Sequence, residues 1–157
     1  TSKIYTLSDL KIQTDKWKYE GDKIVFTNGC FDILHPGHVS MLRQARSSCD
    51  YLIVGLNSDD SVRRLKGEDR PVQTEVARAY ILASLPHVDL VVTFAEDTPE
   101  SLIGKLIPDV LIKGADYHRQ DVVGADLVEG TGGRIVLIEL EPGYSTTDTI
   151  GRRQQLE

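Results

Sequence analysis

Two histidines three residues apart, His35 and His38, enclose Pro36 and Gly37. They follow a short apolar run, Ile24-Val25-Phe26, that ends in Thr27-Asn28-Gly29. An Asn-Gly pair signals a turn, so the histidines open the helix that follows a strand. Spacing of three puts both imidazoles on one side of the first helical turn. A helix N-terminus offers free backbone N–H groups and a partial positive charge, which suits phosphate. Gly37 has no side chain, so a flat base or a phosphate can approach the backbone closely. Pro36 suits a helix start. Two imidazoles donating to phosphate oxygens would stabilise the charge that builds during group transfer. Two other chemistries draw on the same residues. Cys30, His35 and His38 offer three metal ligands, although zinc sites usually take four at more regular spacing. Cys30 with a histidine base offers a nucleophile, although a buried thiol near a strand end is the commoner state.

Further candidates stand after the other apolar runs. Asn57 and Asp59 follow the run at residues 51–56, and a charged stretch follows them. Arg63, Arg64, Lys66 and Arg70 there face only Glu68 and Asp69. That cationic island suits a phosphorylated substrate held beside a second anion. A solvated charged loop is the plainer alternative. Arg78 lies in a helical pattern, and its planar fork suits two phosphates; a surface ion pair is its alternative. Lys113, Gly114, Asp116 and Tyr117 follow the run at 110–112. Ser145, Thr146 and Thr147 follow the run at 135–138, with Asp148 three residues after Ser145 in a capping pattern. Such a hydroxyl-rich helix start would hold outer phosphates. The run Gly130-Thr131-Gly132-Gly133 precedes a strand instead of opening a helix, so it is a turn and not a dinucleotide fingerprint.

These residues share one setting, because the chain alternates apolar runs with helical patterns. Strands are predicted over 24–28, 51–56, 90–94, 110–112 and 135–138. Helices are predicted over 5–18, 38–47, 74–85, 99–107, 121–129 and from about 146. The runs are near-continuous Val, Ile and Leu, the pattern of a parallel sheet covered on both faces. The expected fold is α/β and Rossmann-like, with about five parallel strands and helices on both faces. Such sheets bind ligands at the carboxyl ends of their strands, where the candidate residues cluster. A single domain over 1–157 is expected, with 1–22 as an N-terminal extension packed on it.

Composition narrows the partners. The 157 residues carry 18 Lys plus Arg against 24 Asp plus Glu, a formal net charge of −6. An acidic chain does not suit general nucleic-acid coating. No apolar run reaches the length of a membrane span, and residues 1–7 hold no signal-peptide core. Cys30 and Cys49 form no CxxC and no disulfide framework. A cytoplasmic chain without membrane or nucleic-acid partners is expected.

The stretch Gly29-Cys30-Phe31-Asp32-Ile33-Leu34-His35-Pro36-Gly37-His38 resembles the G-x-F-D-x-x-H-x-G-H signature of the cytidylyltransferase-like nucleotidyltransferases. The likeness runs from about Ile24 to Arg152. Within that superfamily the chain resembles the adenylyltransferases that make ADP-heptose from D-glycero-β-D-manno-heptose 1-phosphate. Those are often the C-terminal half of a bifunctional heptose kinase/adenylyltransferase, and this sequence holds no kinase half, as in a stand-alone form or an excised domain. The heptose enzymes carry a similar N-S-D-x-S-x-x-x-L-K-G-x-x-R-P-V run and a K-G-x-D-Y loop, and the superfamily carries an I-S-T/S-T-x-I motif, matched here from Asn57, Lys113 and Ser145.

The resemblance implies a division of roles. His35, His38 and Lys66 would be catalytic. Asn28, Gly29, Cys30, Phe31, Asp32 and Gly37 would shape the nucleotide loop. Lys113, Gly114, Asp116 and Tyr117 would line base and ribose, and Ser145, Thr146 and Thr147 would hold the outer phosphates. Arg78, Asn57 and Asp59 would face the acceptor and its phosphate. Mg²⁺ would come with ATP, without dedicated protein ligands. ATP and a sugar phosphate would be the partners, a homodimer the assembly, and lipopolysaccharide core or another surface glycan the destination. Two departures stand out. Glu139-Leu140-Glu141-Pro142 replaces the Arg-Thr pair of glycerol-3-phosphate cytidylyltransferases, and His118 stands where the family often has Lys. Glycerol-3-phosphate cytidylyltransferase and a non-catalytic nucleotide-binding module are the competing readings.

Overall fold

The computed structural model describes residues 3–114 and 118–139. In chain order the elements are β1 (Ile4–Tyr5), α1 (Leu7–Tyr19), β2 (Ile24–Gly29), α2 (Pro36–Ser47), β3 (Tyr51–Asn57), α3 (Asp59–Lys66) and α4 (Glu75–Ala83). They continue with β4 (Leu90–Phe94), α5 (Glu100–Leu106), β5 (Val110–Gly114), a 3₁₀ turn (Arg119–Asp121), α6 (Ala125–Gly130) and β6 (Arg134–Ile138). The strands form one sheet in the order β1-β4-β3-β2-β5-β6, and every pair is parallel. The α/β expectation holds, with six strands instead of about five.

Why the strands lack a polar face is visible in the core. Along β3, Leu52, Val54 and Leu56 pack with α2 and α4 residues such as Leu42, Ala45 and Leu82. Ile53 points the other way, into a cluster with Leu10 of α1, Ile103 of α5 and Val128 of α6. Strand side chains alternate between faces, and both faces are covered, so both registers must be apolar.

The strand order reverses at β2, which lies between β3 and β5. β2 pairs with β3 over six residues, from Ile24 opposite Tyr51 to Gly29 opposite Leu56. With β5 it pairs only at Val25 and Phe26, opposite Val110 and Leu111. Beyond that point the Thr27 hydroxyl donates to the Ile112 carbonyl at 2.8 Å. The ladder between β2 and β5 therefore ends short of their carboxyl ends, at the switch point where such sheets bind ligands. The opposite end of the sheet is closed by aspartates. Asp50, Asp109 and Asp89 accept from the backbone N–H groups of Lys23, Ile24 and Leu52 at 2.7–2.8 Å.

Several elements differ from the sequence expectations. β1 is new: two residues carry no periodicity, yet Ile4 and Tyr5 pair with Val91 and Val92. α3 was expected as a loop because it is highly charged; Ser58 caps it by accepting from Ser61 N–H at 3.2 Å. α2 starts at Pro36, two residues before the predicted start. The predicted helix over 121–129 is divided by Gly124, whose φ of +84° is left-handed. A Cβ there would also lie 2.9 Å from Ile103. The predicted helix from about 146, with Ser145, Thr146 and Thr147, lies outside the described residues, as do Asp116 and Tyr117. Among the described residues no helix is long and apolar enough to cross a membrane.

Candidate active site

The loop between β2 and α2 is built around Phe31. Its φ of +46° is left-handed, rare for an aromatic residue. Backbone strain of this kind concentrates at functional sites. The ring is buried, and a Cβ at Gly29 would lie 3.0 Å from its Cε2 atom. Asn28 and Gly29, expected as a turn, instead continue β2 opposite Gly55 and Leu56, and the missing side chain at Gly29 leaves room for the ring. The ring in turn meets His38 edge-on, 5.4 Å between centroids and 69° between planes.

His35 occupies the N-cap of α2 with extended backbone, φ −134° and ψ 170°. Pro36 and the buried Gly37 come next, and His38 is the third helical residue. The His35 N–H donates to His38 Nδ1 at 3.3 Å, and the two rings stack with centroids 3.8 Å apart and 18° between planes. With Nδ1 accepting, a neutral His38 carries its proton on Nε2, where it can donate. Burial pushes the His38 imidazole down to about 4, with the neighbouring His35 adding to the effect. Burial also lowers His35. Both rings are neutral at pH 7, so they serve as hydrogen-bond donors beside the positive end of α2, not as cations.

Asp32 is wholly engaged within the protein. Its carboxylate accepts from Arg70 Nε at 2.9 Å, from Val72 N–H at 2.9 Å and from Gln73 N–H at 3.0 Å. Burial alone would raise this carboxyl group. The two backbone N–H groups and the guanidinium outweigh burial and hold it below the ordinary carboxylate value. Asp32 therefore pins residues 70–73 to the loop after β2 and has no free carboxylate for a nucleotide.

Arg78 is likewise given a different task from the phosphate grip its sequence position suggested. It is 1% exposed. Nε donates to the Gln73 carbonyl at 3.0 Å, and Nη1 donates to the carbonyls of Cys30 at 2.7 Å and Asn57 at 2.8 Å. Nη2 donates to Asp59 Oδ1 at 2.8 Å. One side chain joins the ends of β2 and β3, the start of α3 and the entry to α4. Asn57 and Asp59, expected to face an acceptor, belong to the same frame: Asn57 Nδ2 donates to Ser61 Oγ at 3.0 Å, and Glu75 Oε1 accepts from the Asp59 N–H at 3.0 Å.

The remaining candidates stay at the mouth. Lys66 ends α3 and is exposed, with its charge felt at the Cys30 thiol. Burial raises that thiol, and the cations Lys66, Arg78 and Arg70 only partly oppose it. A protonated Cys30 does not suit a nucleophile. Lys113 reaches across the gap between β5 and β2, donating to the Asn28 carbonyl at 3.1 Å. Asn28 Oδ1 is buried with no hydrogen-bond partner among the described residues. Gly114 is buried at the end of β5. Among the described residues no group of three or more His, Cys, Asp and Glu side chains could hold a metal ion, so Cys30, His35 and His38 do not form a metal centre there. Sequence spacing also missed a participant: Arg70 meets Asp32 across 38 positions, a distance no local motif signals.

The chain is 62% identical over 151 residues to the bifunctional protein HldE of Rhodospirillum rubrum, covering 96% of this chain and 30% of that protein. It is 64% identical over 136 residues to the protein of the same name in Paramagnetospirillum magneticum, covering 87% of this chain and 28% of that one. The chain thus spans about three-tenths of the length of these relatives. The crystal structure of the lipopolysaccharide core biosynthesis protein from Thermoplasma volcanium shares the fold, with a TM-score of 0.63 and 24% identity over 77% of this chain and 98% of that one. The cytidylyltransferase-like family model matches residues 26–152, most of the chain, and the chain belongs to that family.

Proposed function

We propose that this chain transfers the adenylyl group of ATP to a sugar 1-phosphate, D-glycero-β-D-manno-heptose 1-phosphate, giving ADP-heptose and pyrophosphate. The observation that carries the chemistry is the stacked, neutral His35–His38 pair at the N-terminus of α2. The acceptor follows from the likeness of the run from Asn57 to Val72 and of the Lys113-Gly114 loop to the heptose adenylyltransferases, supported by identities of 62% and 64% to HldE proteins.

The acceptor's phosphate oxygen attacks the α-phosphorus in line, and pyrophosphate leaves from the opposite side. That oxygen is already ionised at neutral pH, so no strong base is required. Catalysis is positioning plus stabilisation of charge on the transferring phosphoryl oxygens. His38 Nε2–H, beside the positive end of α2, supplies a donor without introducing a formal positive charge. Gly37 leaves the backbone open to approach. Lys66, on the exposed rim, meets phosphate charge as the substrates enter. Lys113 and Gly114 border the gap beside β2 on the nucleotide side, where Asp116 and Tyr117 would contact ribose and base. Ser145, Thr146 and Thr147 would hold the β- and γ-phosphates. Mg²⁺ carried in with ATP would neutralise part of the triphosphate charge. An ATP-consuming chain with free cysteines, Cys30 and Cys49, fits the cytoplasm.

The test is pyrophosphate release with Mg²⁺, crossing ATP and CTP with heptose 1-phosphate, glycerol 3-phosphate and no acceptor. Release confined to ATP with heptose 1-phosphate is the expected result. Release with CTP or glycerol 3-phosphate would move the chain to another branch of the family. ATP binding without release under any condition would favour a non-catalytic nucleotide-binding module.

A further inference from the structure

Arg70 and Arg78 both adjoin the loop after β2, and the protein uses them differently. Arg78 makes four hydrogen bonds, to Gln73, Cys30, Asn57 and Asp59. Arg70 makes a single side-chain bond among the described residues, from Nε to Asp32 at 2.9 Å. Its Nη2 is buried without a hydrogen-bond partner among those residues. Its side chain is still 11% exposed, while the Asp32 side chain is 0% exposed. A buried guanidinium nitrogen left unpaired is costly, and such groups call for a partner. We propose that Arg70 binds the phosphate of the acceptor, with Asp32 as the positioning residue that holds it there. This inference rests on the transferase reading above.

Three features favour this ligand. A guanidinium fork matches two oxygens of one phosphate, and it remains charged throughout the working pH range. The Asp32 carboxylate accepts from Arg70 Nε, Val72 and Gln73, so it fixes the guanidinium in place while Arg70 Nη2 stays outside that pair. At the Cys30 thiol the charges of Lys66, Arg78 and Arg70 are felt against that of Asp32. The side of the site follows from topology. Arg70 lies on the connection from α3 to α4, which follows β3, whereas Lys113 and Gly114 end β5. β3 and β5 flank β2 on opposite sides. Arg70 thus stands on the β3 side of the loop after β2, opposite the β5 side that carries Lys113 and Gly114.

The experiment compares Arg70→Gln, Arg70→Lys and Asp32→Asn with the intact chain, and uses Lys11→Gln as control. Lys11 pairs with Asp15 at the surface of α1. KM for acceptor and for ATP are measured separately, and inorganic phosphate binding is followed by calorimetry. Arg70→Gln is expected to raise the acceptor KM about tenfold or more, the loss typical of one charged hydrogen bond. ATP KM should stay within about twofold, since binding energy is lost at one substrate only. Arg70→Lys should recover part of the loss, Asp32→Asn should shift KM the same way, and Lys11→Gln should change neither. Equal effects on both substrates, or an unchanged acceptor KM, would overturn the assignment. If the intact chain prefers a different phosphorylated acceptor, the heptose reading fails and the same KM comparison on that acceptor still decides Arg70. If it turns over nothing, calorimetry decides: phosphate binding weakened by Arg70→Gln supports the assignment, while unchanged binding, or none to the intact chain, overturns it. If Arg70→Gln does not fold, the split between the two KM values in Arg70→Lys carries the test.

Discussion

His35 and His38 face each other as nearly parallel imidazoles, 3.8 Å between centroids, with the His35 N–H directed at His38 Nδ1. Two cationic rings would repel at this separation. The arrangement instead favours a neutral pair, which burial reinforces. In the proposed reaction the pair would meet phosphate charge with polar hydrogens and a helix terminus, leaving full positive charge to the lysine and arginine side chains around it.

Neutrality gives a direct spectroscopic expectation. The chain has four histidines, so their imidazole resonances are resolvable by NMR. His38 should stay neutral through pH 6 and take its proton only near pH 4. Titration near 6.5 in the free protein would contradict the buried, stacked geometry.

The same shift makes stability depend on pH. An unfolded His38 protonates near 6.5, whereas the folded one holds out to about 4. Between those values the unfolded chain binds the extra proton, so stability falls as pH drops through this window. Urea midpoints at pH 7 and pH 5 should differ more in the intact chain than in His38→Gln. An equal difference in both would show that His38 is not the group responsible.

Phe31 provides part of the cover over His38. Phe31→Ala removes the edge-on ring, and water then reaches the imidazole. The His38 pKa should move up toward 6.5. The helix content, read by circular dichroism, should be retained, because α2 keeps Met41, Leu42 and Ala45 in the core. An unchanged pKa would place the cause of the shift elsewhere.

Arg78→Ala should be among the most damaging substitutions near the site. It leaves the carbonyls of Cys30, Asn57 and Gln73 and the Asp59 carboxylate without their shared donor. Breaking a buried ionic network typically costs about 3–5 kcal/mol. Urea denaturation should show a loss of that order. Wild-type stability with a defect confined to acceptor KM would instead make Arg78 a phosphate ligand.

The division between legible and hidden features has a physical origin. The strand and helix around His35 and His38 were readable because apolar run and His-x-Gly-His stand within 15 residues, Ile24 to His38, whereas the Asn28-Gly29 pair that signals a turn continues β2. The doubly covered sheet was readable because its strands lack a polar register. What escaped depends on contacts across the chain. Arg78 matches a substrate-binding arginine by position, but its partners at residues 30, 57, 59 and 73 come together only in the fold. Asp32 belongs to the signature run, yet its partner Arg70 stood among several charges with nothing to single it out. α3 was hidden by charge, since its eight residues hold only Val62 and Leu65 as apolar anchors.

The most direct measurement is turnover of His38→Ala in the pyrophosphate-release assay, paired with ATP binding by calorimetry. Removing one positioned donor to developing charge typically lowers kcat by about a hundredfold or more. The account predicts a loss of that size, with ATP affinity changed by only a few-fold and the fold retained. Near-normal turnover in a folded His38→Ala protein would contradict the role assigned to the histidine pair.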